Sequence, residues 1–288
     1  MDRGANCFPL LLRSQTNRNL FDTHETTSAE ATNAEPNLSE EAKSYLRTLD
    51  AEKEFEPLFF HTVAVLHAPA YRAENAGALR QDWPRIPLPA SRELLEESAA
   101  LGRQIAALLN TETSVSGVTS GSIRPALRNL AVIRRADSAG SLDLEAGDLE
   151  LRAGWGHRGK GNVVMPGKGR LTTRNYTETE TGAWQEGGQD LRDTLAALGD
   201  LTHDVYLNDA AAWINVPARV WDYTIGGYQV IKKWLSYREF SILERSLTAE
   251  EAREVMQIAR RIAAILLLEP GLDQNYERVK THCYNWQE

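Results

Sequence analysis

Residues 219–238 read Arg-Val-Trp-Asp-Tyr-Thr-Ile-Gly-Gly-Tyr-Gln-Val-Ile-Lys-Lys-Trp-Leu-Ser-Tyr-Arg. A buried helix has no use for Gly226-Gly227, and a solvated helix has no use for Trp221, Tyr228 and Trp234. The segment therefore packs on one side and presents aromatic and cationic groups on the other. That composition suits a nucleic-acid surface, and a protein interface draws on much the same residues.

Upstream of it, from Leu130 to about Asn215, the texture is that of short strands between glycine-rich turns. Leu130-Ala-Val-Ile, Leu142-Asp-Leu-Glu, Gly161-Asn-Val-Val-Met and Val205-Tyr-Leu are the candidates. Helical patterns flank this middle. Ser39 caps a helix with Ala42, Tyr45, Leu46 and Leu49 on one face. A second helix is expected from Pro57 to His67, with Leu58, Phe59, Thr62, Val63 and Leu66 inward and Pro69 ending it. Pro84, Pro87 and Pro89 force an extended strap. Ser91 then caps a helix to about Asn110, with Leu94, Leu101, Ile105 and Leu108 in register. Near the end, Thr248-Ala249-Glu250-Glu251 is a capping box. Val255, Ile258, Ile262, Ile265 and Leu266 line that helix, and Pro270-Gly271 is expected to stop it. Residues 14–38, rich in Thr, Asn, Ser and Glu, read as a linker or an exposed insertion. The fold class is α+β: a helical N-terminal part, a β-rich middle with glycine-rich loops, and C-terminal helices. The expected division is a partly disordered segment over 1–54, a helical connector over 55–110 and one domain over 111–288.

The 288 residues, 42% hydrophobic and 25% charged, describe an ordinary globular chain. No apolar run approaches the ~20 residues that cross a bilayer, and no secretion signal is read. Cys7 and Cys283 fit two free thiols in a reducing cytoplasm or, as the alternative, one disulfide between them, and no metal-ligand spacing. A net charge of −8 counts against a protein that coats DNA, but the charge is uneven. Residues 152–174 hold Arg152, Arg158, Lys160, Lys168, Arg170 and Arg174 without one acidic residue. Residues 178–204 then carry seven carboxylates against the single cation Arg192.

Gly154-Trp-Gly-His-Arg-Gly159 matches G-x-G-x-x-G, but the glycine-rich stretch and Pro166 behind it leave no helix to receive a pyrophosphate. Pro166-Gly-Lys-Gly169 has neither the spacing of a phosphate loop nor its Ser or Thr. What remains is two glycine-framed cationic turns, Arg158-Gly-Lys160 and Lys168-Gly-Arg170, whose backbones could approach a phosphodiester chain. A solvated basic hairpin with no ligand explains the same residues. His61 and His67 lie on different helix faces and read as core-edge histidines, and Asp200, His203 and Asp204 read as helix-end polarity. No nucleophile constellation stands out. The Asn/Asp-Pro-Pro-aromatic motif of amino-methylating enzymes is absent, and Asn215-Val-Pro-Ala218 is the nearest string.

Two long strings carry a resemblance. Leu66-His-Ala-Pro-Ala-Tyr-Arg-Ala-Glu-Asn75, followed by Asp82-Trp-Pro-Arg-Ile-Pro-Leu-Pro89, resembles the region beyond the methyltransferase core of type ISP restriction–modification proteins. Asp204-Val-Tyr-Leu-Asn208 and Val220–Glu239 resemble their C-terminal specificity domain, and are similar to strings in related adenine-specific DNA methyltransferases. Cys7-Phe-Pro-Leu10 also resembles part of such a protein, which implies a tail piece encoded separately. The resemblance implies recognition of a sequence in double-stranded DNA, in restriction–modification or phage defence. Adenine-N6 methylation and cleavage would be carried out by upstream domains that use S-adenosylmethionine and ATP with Mg, on a methyltransferase/translocase chain. No cofactor is expected in this chain, and no membrane partner. Rival readings are a part of a split adenine methyltransferase, a protein-interaction module and a gene remnant. The candidate DNA contacts are Arg152, Arg158, Lys160, Lys168, Arg170, Arg174, Lys232, Lys233 and Arg238. Trp221, Tyr228 and Trp234 are expected to pack the Gly-Gly turn against the core.

Overall fold

The computed structural model describes residues 9–13, 34–137, 140–186, 188 and 190–286. The chain divides into two compact units, Met1–Gln104 with Leu272–Glu288, and Ile105–Gly271. Its elements are mixed α and β, as the sequence predicts.

In the first unit β1 (Leu11–Arg13) pairs antiparallel with β2 (Ala34–Pro36). Most of the expected linker, residues 14–33, lies outside the described residues, as does Cys7. α1 (Glu40–Thr48) starts where Ser39 accepts the Ala42 amide, and buries Tyr45 and Leu46. α2 (Glu56–His67) buries Pro57, Leu58, His61, Ala64 and Val65. Its inward face is thus rotated from the expected one, and Phe59 is exposed. The rotation has a polar cause. His61 is fully buried, with Nδ1 2.7 Å from Ser98 Oγ and Nε2 2.9 Å from the Pro87 carbonyl. Burial pushes its imidazole down to about 4, against the pull of that carbonyl.

α3 (Pro69–Glu74) uses Pro69 as its first residue, so the proline that ends one helix begins the next. Behind it the strap is extended over its proline-rich part. Prolines leave it short of donors, so its carbonyls must find partners elsewhere. Alternate carbonyls do so: Tyr71 Oη donates to Arg85 at 3.1 Å, His61 reaches Pro87, and Tyr45 Oη donates to Pro89 at 2.8 Å. The Leu88 carbonyl accepts the Tyr284 amide at 2.7 Å. At roughly 1 kcal/mol net for each bond, three helices and the C-terminal segment hold the strap flat. α4 (Arg92–Leu109) begins at Ser91, which accepts the Leu94 amide at 3.3 Å, and continues into the second unit.

The second unit opens with α5 (Pro125–Arg128) and is built on four antiparallel strands. β3 (Val132–Arg135) is the first, and an outlying ribbon of β4 (Gly156–Arg158) and β5 (Val164–Pro166) follows. β6 (Leu171–Arg174), α6 (Glu178–Glu186), α7 (Leu191–Leu198), β7 (Thr202–Tyr206) and β8 (Ala211–Pro217) complete the layer, in the order β3-β8-β7-β6. Leu142–Glu145, an expected strand, is not one. The Asp143 carboxylate accepts the amides of Glu145 at 3.0 Å and Ala146 at 3.1 Å, and that local bond turns the chain instead.

The stretch 219–238 resolves into α8 (Ala218–Trp221), a hairpin of β9 (Thr224–Ile225) and β10 (Tyr228–Gln229), and α9 (Val230–Arg238). Gly226 and Gly227, at φ 58° and 83°, form the two-residue hairpin turn that needs left-handed backbone twice. α9 buries Ile231 and Leu235, while Tyr228 and Tyr237 stay exposed. Trp221 packs in the core as expected, whereas Tyr228 does not.

α10 (Phe240–Leu243) leads to α11 (Ala249–Thr281), whose capping box is formed by Thr248 and Glu251. Pro270-Gly271 does not stop this helix. Proline removes one intrahelical bond at a cost of about 3 kcal/mol, but Leu272, Tyr276 and Val279 beyond it are all buried. At roughly 2 kcal/mol for each such side chain, their burial outweighs the break. In the second unit, fully buried Trp213 of β8 donates to the Ala252 carbonyl of α11 at 3.0 Å. Arg261 closes the end of α4, donating to the carbonyls of Ala107, Leu108 and Asn110 within 3.1 Å.

Candidate nucleic-acid interface

The β4–β5 ribbon owes its position to Trp155, which is fully buried and donates Nε1–H to the Tyr206 carbonyl at 2.8 Å. The indole stands edge-on to Trp221, ring centroids 5.2 Å apart. Returning from the ribbon, the chain lies on this indole: Gly167 donates to the Trp155 carbonyl at 2.6 Å and Gly169 to the Gly154 carbonyl at 3.0 Å. A Cβ at Gly169 would sit 2.0 Å from the indole, and its φ of 67° is itself a glycine conformation. On the other side, a Cβ at Gly156 would sit 2.0 Å from the Ser236 carbonyl of α9. The glycines at the Lys168-Gly-Arg170 turn, expected to let a backbone approach a ligand, here pack closely, Gly167 and Gly169 lying against Gly154 and Trp155.

Glu239, nearly buried between α9 and α10, accepts the amides of Gly154 at 3.0 Å and Trp155 at 2.8 Å. Burial pushes its carboxyl above the ordinary range, against the pull of these backbone donors. The base of the ribbon is thus fixed by an indole, a helix backbone and a carboxylate.

The nine cations expected at the interface divide by their partners. Arg174 of β6 is engaged by two carboxylates. Its guanidinium meets Asp204 at 2.8 and 3.0 Å and Glu180 at 2.8 and 2.9 Å, and the Glu180 bond and neighbouring charge hold it well above the usual range despite burial. Arg170 pairs with Asp209 and lies 4.1 Å over the Tyr206 ring. Arg152 pairs with Glu150 and lies 3.7 Å over Phe240. Arg238 lies 4.0 Å over Trp234 and faces Glu251 at 3.8 Å and Glu254 at 3.7 Å.

The other five have no carboxylate partner among the described residues. Lys160 and Lys168 are exposed, and Arg158 reaches Asn162 Oδ1 at 3.1 Å and the Ile242 carbonyl at 3.5 Å. Lys232 is half-buried, and Lys233 sits between Tyr228 and Tyr237, 4.7 Å from each ring. From the acidic stretch 178–204, Glu180 and Asp204 pair with Arg174, and no ion pair joins the stretch to Arg158, Lys160 or Lys168 among the described residues. Of these nine cations, the five without a carboxylate partner therefore lie on the ribbon, just past its base or on the adjoining α9.

A family model for the type ISP C-terminal specificity domain matches residues 1–265 of the 288. The chain belongs to this family. Among curated proteins no match is found. A cryo-EM structure of a DrdV–DNA complex is similar to the chain at a TM-score of 0.45 and 16% identity, over 85% of this chain and 20% of that one. The chain therefore spans about a fifth of the length of that protein.

The type ISP specificity domain carries further features that sequence reasoning missed. Glu239 gives no local signal, since its partners lie 84 and 85 residues away. Val163 and Met165, 57% and 47% exposed on the ribbon, resemble an ordinary strand pattern in the sequence. A cavity of about 740 Å³ lies over the open face of the four-stranded sheet, lined by Arg134, Arg135, Arg174, Glu180 and Asp204 among others. Its acids are already engaged by arginines, and among the described residues no group of His, Cys, Asp and Glu could hold a metal ion. His203, expected at a helix end, lies on β7 with Nδ1 3.0 Å from Thr173 Oγ1. Among the described residues no helix is long and apolar enough to cross a membrane.

Proposed function

We propose that this chain is a sequence-specific recognition module for double-stranded DNA, serving a type ISP-like restriction–modification or phage-defence assembly in the cytoplasm. The observation that carries the reading is the β4–β5 ribbon. In a molecule of net charge −8, Arg158 and Lys160 on it, and Lys168 just past its base, have no carboxylate partner among the described residues. Such cations neutralise phosphates and position a protein on duplex DNA, while base-edge contacts supply the selectivity. Membership of the specificity-domain family supports the same reading. Arg174, held by two carboxylates, is withdrawn from the contact set, and Arg152, Arg170 and Arg238 reach phosphate only by leaving their acids. Lys232 and Lys233 extend the footprint along α9.

Methylation of adenine N6 and cleavage belong, in this reading, to a methyltransferase/translocase chain that binds S-adenosylmethionine and ATP with Mg. The DNA-reading surface lies within residues 105–271. Incubating the chain with a pool of random-sequence duplexes and sequencing the retained DNA tests the proposal. Enrichment of one defined sequence is expected. Retention without enrichment leaves only a charge-driven binder, and no retention at all favours a protein-interaction module.

A further inference from the structure

The β4–β5 ribbon has two unlike faces. Its register pairs Gly156 with Pro166, His157 with Met165 and Arg158 with Val164. Side chains alternate across a strand, so Gly156, Arg158, Val164 and Pro166 share one face; Gly156 is buried on it and Val164 half-buried, while Arg158 and Pro166 stay exposed. The Gly156 approach to Ser236 and the Arg158 bond to Ile242 mark that face as the inner one. His157 and Met165 then point outward, and Val163, two residues before Met165, follows the same alternation. The result is an exposed apolar pair beside an imidazole, on a narrow ribbon with Lys160 at its tip and Lys168 beyond its base.

We propose that this outward face lies in the major groove of duplex DNA, with Val163 and Met165 against thymine methyl groups. The inference rests on the reading that the chain recognises duplex DNA, and says which part reads bases and by what chemistry. A two-stranded ribbon fits the ≈ 12 Å major groove and is too wide for the ≈ 6 Å minor groove. The thymine C5 methyl is the one apolar group that a base pair presents there. Phosphates line both rims of the groove, and the uncompensated cations stand at both ends of the apolar pair, where they meet those rims. A protein partner would have to supply carboxylates at both ends and a hydrophobic strip between them, whereas a duplex has this arrangement throughout its length.

The test uses the duplex that the wild-type chain enriches, with each thymine replaced in turn by deoxyuridine. At one or two positions the wild-type chain should lose about fourfold in affinity for each missing methyl group. A Val163→Ala/Met165→Ala variant should bind the parent duplex more weakly, keep its salt dependence, and lose nothing further at those positions. An unchanged melting temperature of the variant shows that its fold is intact, as expected for two exposed side chains. The inference is overturned if every deoxyuridine duplex binds the wild-type chain like its parent, if the enriched sequence has no thymine, or if the variant loses as much as the wild type at the same positions. Failure to enrich any sequence refutes the recognition function itself, and is thereby distinct from failure of the groove assignment.

Discussion

Replacing Glu239 with glutamine probes how the ribbon is held. One carboxylate oxygen accepts the Gly154 amide at 3.0 Å and the other accepts the Trp155 amide at 2.8 Å. Glu239→Gln turns one acceptor into a donor, so one buried amide loses its partner, at about 1–3 kcal/mol. The bond that survives falls from charge-assisted to neutral, which roughly halves it. Removing a buried charge returns part of this, because burial already disfavours the ionised carboxyl. A net loss of about 2 kcal/mol is expected at the base of the ribbon, or roughly 30-fold in a local opening equilibrium at ~1.4 kcal/mol per decade. Hydrogen exchange measured by mass spectrometry reads this directly. Peptides covering residues 152–170 should exchange about 30-fold faster in the variant, while peptides from α1 and α2 stay within threefold. Equal rates over 152–170 would refute the view that this carboxylate anchors the ribbon.

Three further substitutions or conditions separate structure from function. His61 titrates at about 4 in the folded chain and at ~6.5 unfolded, so its contribution is fully present above pH 6.5 and is lost as pH falls towards 4. Urea denaturation of the first unit should show about 2 kcal/mol less stability at pH 5 than at pH 7.5, a difference that shrinks in His61→Gln. Gly169→Ala places a methyl group in the Trp155 indole at a left-handed φ, and should cost about 3 kcal/mol in thermal or urea melts. Arg174→Ala strands Asp204 and Glu180 and should destabilise by about 2–3 kcal/mol, a buried-pair cost discounted for the partial exposure of the arginine, while leaving the salt dependence of DNA binding unchanged.

Local signals in the sequence were legible because a few adjacent residues decide them. Ser39, Ser91 and the Thr248–Glu251 box start helices where a side-chain oxygen meets an orphan amide three residues on. Signals that depend on distant partners were not. The Pro270 break is overridden by the burial of Leu272, Tyr276 and Val279, which no window around the proline reveals. The face of α2 is turned by His61 reaching Ser98 and Pro87, 37 and 26 residues along the chain. At the candidate site the sequence showed the basic segment but not its pairing. Arg174 looks like Lys168 in the sequence, yet the strand pairing of β6 with β7 brings Arg174 to Asp204, 30 residues on. The glycines of that segment were legible as close-approach residues, but what they approach is Trp155 and α9.

The central claim is tested most directly by the salt dependence of duplex binding in an Arg158→Ala/Lys160→Ala/Lys168→Ala variant. If these three side chains each neutralise one phosphate, the slope of log K against log salt should become shallower by about 2.7, at ~0.9 for each contact. Fluorescence anisotropy with one duplex between 50 and 200 mM salt, roughly the range over which such contacts are resolved, gives the slope for both proteins. An affinity and slope equal to those of the wild-type chain, with the variant folded, would contradict the claim that the ribbon is the phosphate-binding surface.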